Sequence, residues 1–201
     1  MFNYILPLVL FFNQLQPTEL ISALPKEEIL AQHSLSLDDR LPGEFGNEIF
    51  KENILLNIKY FDGEIVLNPG ETFAFHDQLL PQYKDQTTKT GWTHFSAKEG
   101  FKPLSGLMAN GVCHLASLMN WTAQDAGLQV FAPTNHNFFP IKDIPKEYGT
   151  AIYYHPNGGW RTLNQNLYIT NPFPYLVKLV FQTKNEIVDF KIVRDSNKIE
   201  S

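Results

Sequence analysis

The sequence is poor in the residues that would place it in several common classes. It has a single cysteine, Cys113, so no intramolecular disulfide can form and any zinc site needing two or more thiolates is excluded. Basic residues are few. Sixteen Lys and Arg against twenty-one Asp and Glu give a formal charge of −5, which offers no basic surface for a phosphate backbone and argues against nucleic acid as a partner. The apolar run from Tyr4 to Phe12 spans nine residues and contains Pro7, well short of the roughly 20 needed to cross a bilayer, so no integral membrane segment is expected. Nucleotide-binding and serine- or zinc-hydrolase signatures such as GxxxxGK[ST], GxGxxG after a strand, GxSxG and HExxH are absent. Internal repeats and low-complexity segments are missing too.

What is present is a globular composition. The 201 residues are 43% hydrophobic and 13% aromatic, enough for one domain with a real core. Thirteen Pro and twelve Gly without a period indicate many loops. Residues 1–23 read as a signal peptide or an N-terminal arm: Ile21-Ser22-Ala23 offers a small-residue cleavage site, although no Lys or Arg precedes Lys26. Export to the cell envelope is the expected localisation, and the cytoplasm is the alternative.

Residues 24–46 read as a lead-in helix, Pro25 to His33, followed by a linker with turn chemistry through LPGEFG. The main domain is expected over 47–195 and a polar tail over 196–201. Asn47 is a candidate helix cap before Phe50, Ile54, Ile58 and Phe61, which line one helical face. A strand, turn, strand passage follows through Ile65-Val66-Leu67 and Thr72-Phe73-Ala74-Phe75, and then an irregular excursion from Pro81 to Pro103. A second helix starts near Cys113 and runs through Leu115, Ala116, Met119, Ala123 and Ala126, with Gly127 placed as its C′ residue. Strands are expected over Leu128–Phe131, Thr150–Tyr154, Leu167–Thr170, Leu176–Phe181 and Ile187–Val193. The last two should form a hairpin through Lys184-Asn185-Glu186. The fold class is therefore α+β, a single domain whose mostly antiparallel sheet packs on the helix that starts at the cysteine motif.

A thiol in the first turn of a helix feels unpaired N–H groups and the positive dipole end, which lower its pKa and favour the nucleophilic thiolate. The N–H groups of Gly111 and Val112 are candidates to hold an oxyanion beside the sulfur. His136, in Thr134-Asn135-His136-Asn137, is the candidate general base, with Asn135, Asn137 or Asp143 to orient it. Free cysteine is also among the most buried residue types, so a purely packed Cys113 is the competing interpretation. His114 diverges from Cys113 around the helix and should face a groove or solvent. His76 and His94 read as structural histidines, and no metal or other cofactor is expected, a Cys113, His114, His136 cluster lacking specific ligand spacing. His155-Pro156-Asn157-Gly158-Gly159-Trp160 reads as a hairpin turn, with Trp160 beside Arg161 a candidate contact for a sugar or peptide.

Taken together, Leu67-Asn68-Pro69-Gly70-Glu71-Thr72-Phe73-Ala74-Phe75, Asn110-Gly111-Val112-Cys113-His114-Leu115-Ala116-Ser117, Ala126-Gly127-Leu128 and Asn135-His136-Asn137 resemble the VanW family in content and order, over about residues 53 to 181. That family is named after an accessory protein of vancomycin-resistance clusters and is often attached to cell-envelope modules. The chain departs from the family pattern at His114, where the family has Gln, at Asn110, where it has Gly, and at Gly149, where it has Asp. The resemblance implies a VanW-like cell-envelope accessory protein. One expectation is a Cys113–His136 hydrolase or acyl transferase acting on a peptidoglycan-related substrate. The other is a non-catalytic module holding a cell-wall peptide or glycan in an aromatic groove, with Trp92, Phe95, Tyr153 and Trp160 as candidate walls.

Overall fold

A computed structural model describes residues 27–41 and 43–195. The candidate signal segment, Pro25 and the polar tail lie outside the described residues. The described chain is an α+β domain. Strands β1 (Glu28–Ser36), helix α1 (Glu44–Tyr60), β2 (Glu64–Leu67), β3 (Thr72–Ala74), β4 (Thr87–Thr90), β5 (Pro103–Leu104) and β6 (Leu107–Met108) lead to helix α2 (Val112–Asp125). After it come β7 (Gln129–Phe131), helix α3 (Gly159–Asn164), β8 (Tyr168–Thr170), β9 (Val177–Lys184) and β10 (Ile187–Arg194).

Two four-stranded sheets organise the domain, in the orders β1-β10-β9-β2 and β4-β3-β8-β7, and β5-β6 adds a small hairpin. Every pair is antiparallel except β3 with β4. The β9–β10 hairpin forms as its alternation predicts, with Ile187 opposite Lys184. Its two turn residues, Asn185 at φ 50° and Glu186 at φ 60°, adopt the left-handed backbone that matches the twist of paired strands. The inward residues Leu179, Val188, Phe190 and Ile192 are fully buried.

Helix α2 lies at the centre. Leu115, Ala116, Leu118, Met119 and Ala123 are sealed in the core, and Gly127 (φ 79°) ends the helix as anticipated, with its N–H on Gln124 O and that of Leu128 on Ala123 O.

Several local expectations are corrected. The lead-in helix is instead strand β1, because the chain from Glu28 pairs along β10 from the far end of the sequence. His33, placed at the end of that helix by sequence, stacks on Trp121 at 3.5 Å and meets Asp125 at 2.7 Å, tying β1 to α2. Asn47 does not cap α1; Gly43 does, and the Asn47 Oδ1 accepts the Arg40 N–H at 2.6 Å. Residues 150–154, expected as a strand, form no strand and belong to no sheet. The segment His155 to Trp160 enters the short helix α3 rather than a hairpin.

Candidate functional site

The loop that delivers Cys113 is built from α1. Asn53, buried on that helix, donates through Nδ2 to Lys102 O and Asn110 O, both at 3.0 Å, and accepts the Lys102 N–H at 2.8 Å. Gly111 then turns the chain into α2 at φ 107°, and a Cβ there would sit 2.7 Å from Phe50 O. Only glycine accommodates both the positive φ and this approach.

The sulfur is engaged by the backbone of Ile152. Its Sγ accepts the Ile152 N–H at 3.3 Å and its S–H donates to Ile152 O at 3.6 Å. The residue is half-buried overall. Burial pushes the thiol up to about 11 from an ordinary 9.0, against the lowering effect of the Ile152 hydrogen bond. A helix N-terminus contributes only about 0.3 to 1 kcal/mol, less than one pKa unit, so desolvation wins over the dipole. This shift runs opposite to the lowering expected of a thiol at a helix start. The Val112 N–H, a candidate oxyanion donor, is already given to Ala109 O at 3.2 Å.

Cys113 is one member of a stripe. Ser117 donates to Cys113 O at 2.7 Å and accepts the Thr150 N–H at 2.8 Å; Asn120 donates to Tyr148 O and to the Thr150 hydroxyl, each at 3.0 Å. Residues 113, 117 and 120 share one helical face. Together they satisfy Tyr148 O, the Thr150 N–H and both peptide groups of Ile152, while Thr134 O and the His136 N–H take the Ala151 N–H and Gly149 O, so the segment is held without a sheet partner. The polar stripe on an otherwise apolar helix was the sequence signal for this role.

His136 lies in a different constellation. Its N–H bonds Gly149 O at 3.1 Å, and its Nδ1–H donates to Phe139 O at 3.2 Å, which leaves Nε2 as the basic nitrogen. Burial lowers its pKa. Its ring packs on Phe138 at 4.2 Å and on His114 at 6.2 Å, centroid to centroid. Of the orienting residues proposed for it, Asn135 and Asp143 bond to other partners. Asn135 donates to Lys146 O and Glu147 O, Asn137 is exposed, and Asp143 pairs with Arg40. Gly149 is a close-approach position, since a Cβ there would lie 3.2 Å from His136 O and Lys146 O.

His114 faces neither groove nor solvent: it is only 7% exposed, its ring edge-on to Phe50 at 5.0 Å. Burial first, and the Arg40 charge second, push it down to about 3. Arg40, unremarked in the sequence, is buried, donating to Lys142 O at 3.0 Å and pairing with Asp143. Among the described residues, no three His, Cys, Asp or Glu side chains are grouped to hold a metal ion.

The aromatic groove expected of Trp92, Phe95, Tyr153 and Trp160 is not one wall. Phe95 is buried against Phe75 and Phe101, Arg161 covers Tyr153 at 4.1 Å, and Trp160 stands 72% exposed on α3. His76 is structural, its Nε2–H on Gln165 O at 2.9 Å and its pKa pushed down to about 4 by burial. His94 stacks on Tyr154 at 4.6 Å beside Asp77.

A family profile described as VanW like protein matches residues 51–193, which covers most of α1, all of α2 and both sheets except β1. The chain belongs to the VanW family. No curated protein and no solved structure was found to match it. The matched span contains Cys113, His114 and His136, whereas Arg40, which adds a buried charge beside His114, precedes it. Among the described residues no helix of this VanW-family chain is long and apolar enough to cross a membrane.

Proposed function

We propose that this VanW-family chain is a non-catalytic module of the cell envelope that holds a wall-derived peptide or glycan, with Cys113 as a structural residue. The observation carrying this reading is the sulfur held by both peptide groups of Ile152, with its thiol pushed up to about 11. At neutral pH such a thiol is protonated, and a nucleophile must be a thiolate. Ligand contact falls to the loop after His136, where Phe138 is 77% exposed and Phe139 is exposed beside it. Large apolar side chains held in water at one place commonly mark a binding surface. The envelope location is supported by the family's association with cell-envelope modules and by the apolar Tyr4–Phe12 run.

The test pairs two measurements on the full chain. Iodoacetamide should label native Cys113 slowly near neutral pH and rapidly after denaturation. The protein should co-sediment with purified peptidoglycan sacculi, and Phe138→Ala/Phe139→Ala should lose that binding while Cys113→Ser keeps it. Rapid native labelling, together with hydrolysis or transfer on sacculi that Cys113→Ser abolishes, would restore the enzymatic interpretation.

A further inference from the structure

A separate cleft of about 370 Å3 opens between the end of α1, β2 and β4. Its floor is apolar, from Ile65 and Phe73, both buried, and Tyr60 lines it at the side. Trp92 stands in its lining and is 79% exposed, so the indole is largely free of the core. That combination has the size and character of a ligand site, an apolar recess with a few polar groups at its edge.

The charge at the edge discriminates among ligands. Asp62 and Glu64 both line the cleft and both are exposed. Neither carboxylate makes an ion pair among the described residues. The one cation in the lining, Lys89, is already committed: its Nζ donates to Val66 O and lies 3.7 Å from Glu71. The cleft therefore offers two carboxylates without an ion-pair partner, Glu64 attracted at longer range by Lys178, in a lining shared with the electron-rich ring face of Trp92. A cation over such a face is attracted by the ring quadrupole, and nearby carboxylates reinforce the attraction. A neutral sugar would stack on the indole and donate its hydroxyls to the carboxylates, but it would gain no charge–charge attraction from them.

We infer that this cleft binds an alkylammonium group, a lysine-type side chain whose methylenes lie on Ile65 and Phe73 while its ammonium meets Trp92, Asp62 and Glu64. Amphipathic cations habitually divide in this way, stem on apolar surface and head at the polar edge. The site is distinct from the loop after His136 and does not depend on the binding reading given above. Trp92 and the two carboxylates are exposed, so replacing them leaves the core intact.

The experiment is an NMR titration of the full chain, following the indole N–H of Trp92, with Nα-acetyl-lysine amide, its neutral analogue Nα-acetyl-norleucine amide, n-butylammonium and a methyl glucoside. The lysine derivative should bind about five-fold or more tightly than the norleucine one, and high salt should erode the difference. Asp62→Asn/Glu64→Gln should abolish the preference, and Trp92→Ala, followed through the amides of Ile65 and Val66, should abolish binding. An equal response to n-butylammonium would assign recognition to the amine itself; a response confined to the lysine derivative would assign it to a peptide-borne amine. Equal affinity for norleucine, a response to the glucoside alone, or no saturable shift would overturn the inference.

Discussion

Replacing Cys113 separates its structural role from a catalytic one quantitatively. In Cys113→Ala the Ile152 N–H and C=O lose their sulfur partner in a largely enclosed place. Leaving a buried polar group unpaired costs about 1 to 3 kcal/mol, so a loss near 2 kcal/mol is expected in urea unfolding near neutral pH, or about 4 to 8 °C in Tm for a chain of this size. Cys113→Ser should lose less, because a hydroxyl retains one donor and acceptor. The penalty also has a pH signature. The thiol ionises near 9.0 when unfolded and about 11 when folded, so between these values the unfolded state has released a proton that the native state keeps. Stability linked to this thiol is complete below pH 9 and is lost as pH rises through 11, by about 3 kcal/mol. The gap between wild type and Cys113→Ala should therefore close within that window and slightly invert at its upper end. A gap independent of pH, or rapid alkylation of the native thiol near neutrality, would refute the burial argument.

Gly111→Ala should destabilise the fold by about 2 kcal/mol or more, read by urea unfolding, since it adds a left-handed strain and a 2.7 Å contact with Phe50 O. His114 is held neutral down to about 3, so the unfolded state takes up its proton first as pH falls below 6.5, and stability should drop through that range. His114→Phe should flatten that part of the acid-unfolding curve, while His76, pushed down to about 4, keeps contributing. Asn185→Val forces a β-branched residue to φ 50° in the β9–β10 turn and should cost about 1 to 2 kcal/mol, measured by thermal unfolding.

The legible parts of the fold are those governed by near neighbours. The Phe50, Ile54, Ile58 spacing, the Gly127 stop and the alternation of β9 and β10 each state a local preference that the packed structure retains. Where a distant partner competes, the local sign fails. Glu27, Glu28 and His33 resemble the ends of a helix, yet a strand's backbone groups there are satisfied by β10, more than 150 residues away, and that pairing prevails. The surroundings of the candidate site also depend on distant partners. A helix start beside glycine suggests an activated thiol, but the atoms that surround the sulfur belong to Ile152.

By itself, then, the sequence determined the α+β class, the two long helices, the terminal hairpin and the family motif around Cys113, because periodicity and turn chemistry act over a few residues. Tertiary structure alone decided that β1 is a strand, that Arg40 is buried beside His114, and that the Cys113 sulfur is a backbone partner, because desolvation depends on which distant segments close over a group.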